Sequence, residues 1–518
     1  MAAGRGALVV VPDARDVARV EVELAALLGS ANFVRLTADQ GPQARYSAWL
    51  KIRRGQVQVV VGTRAAAFAP VANLGLVAWW DDGDDLYAEP RAPYPHVREV
   101  LRIQAEQHRS AVLVGGYARS VAITQWLKGG RLRELGPAEE VRRRTRHRVE
   151  VAGEGEQGER DGPAATARLP SAAWRALHEG LTSAPVLVQV PRAGYVPALS
   201  CGTCRTPIRC PVCHGPVGLD SGGSDGACRW CARVSQRWQC EYCGGTSVRS
   251  RVVGSRRTAE ELGRVFPGVA IHTSGGTRVL AQVSAEPALI VATPGAEPVA
   301  MGGYAATVLL DAWASLDRPT LDAGQEALRR WLQAAALTRP REQGGRVVLC
   351  GVPGKVSIPA VEALVRWAPE WFAQRDLAER AALALPPTVW MAVLVGPAAA
   401  LRSVLAELKL PVDVFGPQPL RPASSASTGG SAAATAPTEP EPPELGPTGP
   451  MRAAAAPTGV TPGRPAPTDQ PPHYVVLRGS LERAGELTAA MAALRAQRSA
   501  RREPLLISVR IDGDDALA

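Results

Sequence analysis

Residues 1–128 alternate short apolar runs with longer stretches of helical spacing. ALVVVP (7–12), QVQVVVG (56–62), LGLVAWW (74–80) and AVLVGG (111–116) have the length and β-branched content of buried strands. DARDVARVEVELAALLG (13–29) and VREVLRIQAEQH (97–108) carry apolar residues at helical intervals between them. Such alternation predicts a parallel sheet covered by helices. Residues 129–170 are polar, charged and glycine-rich, which predicts a connector. VLVQV (186–190) resumes strand character, and after residue 247 the rhythm returns. ALIVAT (288–293), AATVLLDA (305–312) and RVVLCG (346–351) read as strands, and RRTAEELGRVF (256–266) and TLDAGQEALRRWLQAAAL (320–337) as helices. The pattern therefore predicts two α/β lobes.

A smaller unit follows. TVWMAVLVG (388–396), the helical AAALRSVLAELK (398–409), HYVVLRG (473–479), a further helix and LLISVRID (505–512) predict a small α+β domain. It is interrupted by residues 417–472, rich in Pro, Ala, Ser, Thr and Gly, which hold too little apolar surface to order themselves and predict a flexible linker.

Composition narrows the class. No apolar run approaches the ~20 residues that a membrane helix needs, and the apolar stretch at the start is too short for a secretory signal. A cytoplasmic protein is expected. The net charge of +10 permits a nucleic-acid partner. Charge alone does not decide the partner, because nearly all basic residues are Arg, with lysines only at Lys51, Lys128, Lys355 and Lys409. That imbalance fits a genomic codon bias as well as a binding function.

Eight of the nine cysteines lie between residues 201 and 243, in four Cys-x-x-Cys pairs: Cys201/Cys204, Cys210/Cys213, Cys228/Cys231 and Cys240/Cys243. Each pair can supply two thiolates from one tight knuckle, and four knuckles make two zinc sites of four cysteines each. A reducing compartment favours metal over disulfides. Spacing leaves the pairing open: neighbouring knuckles share an ion, or the outer pairs enclose the inner ones. His214 is unneeded as a ligand. The ninth cysteine, Cys350, lies in an apolar strand and reads as a small buried hydrophobe.

Gly62, Thr63, Arg64, Ala65, Phe68, Ala69, Pro70, Asn73, Leu74, Gly75 and Leu76, the four-knuckle block and GRVFPGVAI (263–271) together resemble the PriA family of primosomal replication-restart helicases. The resemblance runs from residue 7 to the end, apart from the linker. It implies two RecA-like superfamily-2 helicase lobes with a two-zinc insert, beside the small α+β C-terminal domain read from the pattern. It also implies nested zinc pairing, one ion on Cys201, Cys204, Cys240 and Cys243 and the other on Cys210, Cys213, Cys228 and Cys231. The expected division is lobe 1 over 1–150, without a phosphate-loop strand; a connector over 151–185; the zinc insert and flanks over 186–246; lobe 2 over 247–385; and the C-terminal domain over 386–416 and 473–518, split by the linker.

The nucleotide motifs of that family depart from its pattern. No lysine is followed by Ser or Thr as a phosphate loop requires, and Gly354-Lys355 is followed by Val356. Where the family has its Asp-Glu-Glu-His box, Trp80 stands in place of the first acid, Asp81 and Asp82 in place of the glutamates and Gly83 in place of the histidine. A one-residue slip would restore Asp81 as a metal acid; the favoured reading is an acidic loop after a strand. Arg339 and Arg341 stand near the family's last motif without reproducing it. No catalytic or nucleotide-binding residue is therefore assigned.

The expectation is a replication-restart protein that binds forked or single-stranded DNA, contacts primosome proteins, and promotes loading of the replicative helicase without helicase activity of its own. The alternatives are an active ATP-dependent 3′–5′ helicase whose phosphate loop lies upstream of a mis-set start, and a two-zinc interaction module unrelated to replication. Arg205, Arg209, Arg229, Arg233 and Arg237, interleaved with Trp230, Trp238 and Tyr242, suit phosphate contact and base stacking. They equally suit packing around small zinc sites. RSRVVGSRR (249–257) offers a further phosphate contact, while the basic run 131–148 reads as a solvated segment.

Overall fold

The computed structural model describes residues 4–153, 168–191, 254–318, 320–352, 357–420, 472–503 and 507–511, and in the insert residues 199–203, 207–219, 226–229, 231, 233–235, 238–241 and 243–250. Lys355, Cys204, Arg205, Trp230, Arg237, Tyr242 and most of the linker lie outside the described residues.

Lobe 1 is built on β1 (Gly6–Val10), β2 (Phe33–Leu36), β3 (Val59–Gly62), β4 (Leu74–Trp80) and β5 (Ala111–Gly115). They form one parallel sheet in the order β2-β3-β1-β4-β5. The helices are α1 (Ala14–Leu28), α2 (Pro42–Arg53), α3 (Val97–His108) and α4 (Val121–Lys128). Asp13 caps α1 by accepting from the Arg15 and Asp16 amides, and Ser120 caps α4 through the Ile123 amide, so these two helices start where a side chain satisfies free N–H groups. One face of the sheet carries the main core of Leu8, Val10, Val60, Val77, Trp79 and Leu101. The other holds a smaller cluster of Val11, Val17 and Val61, and Leu113 on the edge strand β5 is exposed.

The second sheet takes up chain earlier than expected. After α5 (Glu139–Thr145), residues 148–151 form β6 (Arg148–Val151); α6 (Ser171–Gly180) and β7 (Val186–Gln189) follow. Both strands belong to the lobe 2 sheet, so sheet pairing puts the last residues of the expected lobe 1, the first of the expected connector and the start of the expected insert in lobe 2. The reason is physical: β6 is an edge strand, paired on one side only with charged residues at Arg148 and Glu150, and lacks the apolar run that marks a central strand.

The insert leaves after β7. Its stem pairs β8 (Leu199–Cys201) antiparallel with β12 (Val248–Ser250), and β9 (Val217–Leu219), β10 (Gly226–Cys228) and β11 (Val234–Ser235) make a small three-stranded sheet. The chain returns through α7 (Ser255–Val265) to β13 (Ile271–Ser274), β14 (Gln282–Val283), β15 (Leu289–Ala292), β16 (Val299–Ala300), β17 (Ala306–Leu309), α8 (Ala312–Leu316), α9 (Ala323–Ala336) and β18 (Arg346–Leu349). The lobe 2 sheet is parallel throughout, in the order β13-β15-β7-β17-β18-β6. Its central strands are buried along their whole length, with cores on both faces. That burial is why they read as unbroken apolar runs.

Helices α10 (Pro359–Arg366) and α11 (Pro369–Ala382) close this side, and α11 packs on α4 of lobe 1. The C-terminal unit is an antiparallel sheet of β19 (Trp390–Gly396), β20 (Asp413–Pro419), β21 (His473–Gly479) and β22 (Ser508–Ile511), ordered β20-β21-β19-β22. Helices α12 (Ala398–Glu407) and α13 (Ala484–Ala500) cover its core of Trp390, Leu394, Leu401, Val475 and Leu487. β20 was not foreseen, and it runs into the start of the expected linker. No helix among the described residues is long and apolar enough to cross a membrane.

Candidate functional site at the lobe interface and in the cysteine insert

The carboxyl ends of parallel strands are where α/β sheets bind ligands. At that end of β4 the chain carries Asp81, Asp82, Asp84 and Asp85. The acidic loop does follow the strand as expected, and its first three acids are buried. Asp82 is satisfied within lobe 1: it accepts from the Trp79 indole at 2.7 Å, the Arg98 guanidinium at 2.6 Å and the Ser120 hydroxyl at 2.5 Å. Burial pushes its carboxyl up, but Arg98, His96 and the two neutral donors outweigh this and hold it below the usual range. Asp81 is turned instead toward lobe 2, where Arg329 and Gln333 of α9 both donate to its Oδ2. Burial is the largest influence on Asp81 and raises it to about 6 against the pull of Arg329.

These residues do not fit a magnesium nucleotide. Trp80, in place of the first acid, lies half exposed at the surface, edge-on to Tyr117 at 5.5 Å. Asp81 and Asp82 are already committed to protein cations and donors. Arg339 donates to the Gly302 carbonyl at 3.0 Å, and Arg341 is exposed in a short turn, so neither is drawn into this cluster. The residues that sequence reasoning missed are Arg329, Arg330, Glu326 and Gln333. The only signal available was a pair of adjacent arginines inside an amphipathic helical stretch.

The insert brings the thiols together in two groups. Sγ atoms of Cys210, Cys213, Cys228 and Cys231 all lie within 4.8 Å of one another, as do those of Cys201, Cys240 and Cys243. Sulfur–sulfur distances within them are 3.6 Å for Cys210–Cys231, 3.4 Å for Cys213–Cys228 and 3.5 Å for Cys201–Cys243. Amides of Cys213 and Val212 point at the Cys210 sulfur and draw its thiol down to about 6, which favours the metal-binding thiolate. Four soft donors in so small a volume fit a metal ion, and zinc is compatible with them. His214 belongs to neither group. Cys350 is buried in lobe 2, and burial pushes its thiol well up.

The insert's apolar core is small: Leu199, Ile208, Cys210, Val217 and Cys228, with Cys213 and Trp238 packed on it. Trp238 thus packs inward. Arg209 is tied to Asp317 beside α8 at 2.8 Å, fastening the insert to lobe 2. In the run 131–148, Arg142 pairs with Glu370 of lobe 2, so that segment is part of the joint as well as a solvated surface. Arg256 and Arg257 sit exposed in the first turn of α7, each paired with a glutamate one turn on.

Two parallel α/β lobes meeting at the carboxyl end of β4, with an insert that carries two cysteine groups rooted in the second, define a two-lobed α/β protein with a candidate metal-binding insert. No family profile matches the chain. It is 49% identical over 429 residues to the probable replication restart protein PriA of Mycobacterium tuberculosis strain H37Rv, a match spanning 81% of this chain and 65% of that protein. It is 47% identical over 420 residues to the Mycobacterium leprae counterpart and 24% identical over 273 residues to replication restart protein PriA of Bacillus subtilis. Those matches span 80% and 52% of this chain, and 64% and 33% of the relatives. The chain belongs to the PriA family, and spans just under two thirds of the length of its mycobacterial relatives. Among solved structures, RecG bound to a three-way DNA junction aligns over 72% of this chain and 40% of RecG, at 12% identity and a TM-score of 0.36.

Proposed function

We propose that this chain is a replication-restart protein that binds DNA at stalled forks and promotes loading of the replicative helicase without a nucleotide-driven motor of its own. The observation that carries the reading is the 49% identity to a mycobacterial replication restart protein, which runs through most of the chain. The commitment of Asp81 to Arg329, in the box where a motor protein holds its magnesium acid, supports the second half. One zinc ion sits on Cys201, Cys204, Cys240 and Cys243, and one on Cys210, Cys213, Cys228 and Cys231. They hold rigid an insert whose own described apolar core is small. Forked or single-stranded DNA is the ligand, primosome proteins and the replicative helicase are the partners, and the protein works in the cytoplasm.

The test is fork-DNA binding and DNA-stimulated ATP hydrolysis on one preparation. Tight, salt-sensitive binding to a fork, preferred over plain duplex and without hydrolysis, is expected. Fork-stimulated hydrolysis would establish a working helicase, and absence of any fork preference would point to an interaction module outside replication.

A further inference from the structure

The geometry points to the joint between the lobes as an ion-paired latch: Arg329 of α9 occupies the carboxyl end of β4 where a magnesium nucleotide would have to bind, and holds the lobes closed with no ligand. The inference deepens the reading of a restart protein without a motor and rests on it only for the DNA arm of the test below.

Arg329 is 1% exposed, among the most buried large side chains of the molecule. Its Nη1 donates to Asp81 and, at 3.0 Å, to Asp84; its Nε and Nη2 donate to Glu326 at 2.8 and 3.0 Å. A guanidinium cannot escape burial by losing its proton, so it stays where acids surround it. Arg330 extends the joint to Asp85 at 3.3 Å and Asp84 at 3.6 Å. Gln325, Arg329 and Gln333 are spaced four apart and share one face of α9. All three engage lobe 1: Gln325 accepts from the Val121 amide at 2.7 Å, and Gln333 donates to Asp81.

The lobe 1 turn is shaped for this neighbour. Asp81 holds a left-handed backbone, φ +61, fixed by its own amide on the Gly115 carbonyl at 2.7 Å and by the Asp84 amide on the Asp81 carbonyl at 2.9 Å. A Cβ at Gly83 would stand 3.0 Å from Arg329 Cδ, so this glycine lets the turn and the guanidinium stem approach. On the side of α1, Arg15 donates to the Gly295 carbonyl and ties the lobes a second time. A phosphate entering here would bring negative charge to a cluster that already sets Asp81, Asp84, Asp85 and Glu326 against Arg329 and Arg330. It would also have to displace the cation that balances them.

Hydrogen exchange on the full chain tests the latch. In the wild type, amides of 81–87 and 323–336 are expected to be protected equally with and without millimolar Mg·ATP. In Arg329→Met the same amides should exchange about tenfold faster or more, with 390–396 unchanged. Added protection of 81–87 by Mg·ATP in the wild type, or wild-type exchange in the variant, overturns the latch. Should Arg329→Met not fold, Arg329→Lys keeps the charge but loses the fork, and several-fold faster exchange confined to the same two segments is expected; wild-type exchange in it overturns the latch likewise. Fork-DNA binding on the same samples separates the two readings. Lost fork binding with an unmoved exchange pattern removes the restart reading and leaves the latch standing. Retained fork binding with nucleotide-dependent exchange removes the latch alone.

Discussion

Two regions of this molecule gather anionic groups into a small volume, and they balance the charge in opposite ways. In the insert, Cys210, Cys213, Cys228 and Cys231 converge, and every member of both thiol groups becomes an anion when it loses its proton. As thiolates they repel, and among the described residues of the insert only a small apolar cluster packs beside them. That region offers its donors to an ion from outside. At the lobe interface, Asp81, Asp84 and Glu326 converge on Arg329, and the balancing cation comes from the chain itself. A site that needs an ion can bind one; a site that carries its own has exchanged binding for rigidity. Protein cations thus replace ligand chemistry at the end of β4, while the insert keeps it.

Metal removal should produce the largest effect and fall on one side of the comparison only. Structural zinc is worth about 10–16 kcal/mol in small zinc-dependent folds. Chelation is expected to unfold residues 199–250 while the two lobes, whose cores lie elsewhere, keep their thermal transition. Elemental analysis should find two zinc ions per chain, and Cys210→Ser should lose one of them. A chelated protein whose insert still resists protease would break the contrast.

The interface should respond to the loss of its internal cation. Removing one partner of a buried ion pair costs about 3–5 kcal/mol, whereas replacing the whole set with apolar groups of similar size can be neutral. Arg329→Met alone is therefore expected to destabilise by about that amount. Combining it with Asp81→Asn and Asp84→Asn should recover much of the loss, because fewer buried acids are then left without their cation. Denaturant unfolding of the single and triple variants reads this directly. Equal losses in both would mean that Arg329 matters for its packing rather than its charge.

How much of this could be read beforehand follows from where each signal lies. β4 begins and ends at Leu74 and Trp80 as expected, and the central strands of lobe 2 fall inside their apolar runs, because burial on both faces leaves an unbroken local pattern. β6 was missed because an edge strand with Arg148 and Glu150 keeps no such pattern. The cysteine knuckles were legible because metal-ligand spacing is local; spacing alone left the grouping open, and the fold brings Cys201 to Cys240 and Cys243. Arg329 was illegible for the opposite reason. On a helix an arginine reads as solvent-facing, and its burial depends on Asp81, 248 positions away in the chain.

A third measurement sharpens the picture inside lobe 1. His96 caps α3 by accepting from the Arg98 amide at 3.1 Å. Burial, then the nearby Arg98 charge, depress its pKa to about 3, with Asp82 pulling the other way. The folded state therefore refuses a proton that the unfolded chain accepts below about 6.5, and stability falls as pH drops from there toward 3. Asp81, raised to about 6, works in the opposite sense between about 4 and 6, taking up a proton the unfolded chain does not hold. His96→Gln should remove the first contribution and flatten acid unfolding by at most about 1.4 kcal/mol per pH unit. An unchanged pH profile would mean that His96 titrates normally.

The smallest expected effect lies where the two regions are mechanically joined. Arg209 reaches from the insert to Asp317, which is nearly buried beside α8, at 2.8 Å. The arginine side chain is about a quarter exposed, so solvent screens the pair and a cost of about 1 kcal/mol or less is expected for Arg209→Gln. Its consequence is orientation more than stability. With zinc bound, each thiol group keeps its own geometry, so metal content should not change while the insert moves more freely on its β8–β12 stem. Limited proteolysis at the stem, compared with zinc content in the same variant, separates the two. Faster cleavage with full zinc occupancy would assign Arg209 to holding the insert against lobe 2, whereas loss of zinc would mean that the docking contact and the metal sites form one cooperative unit.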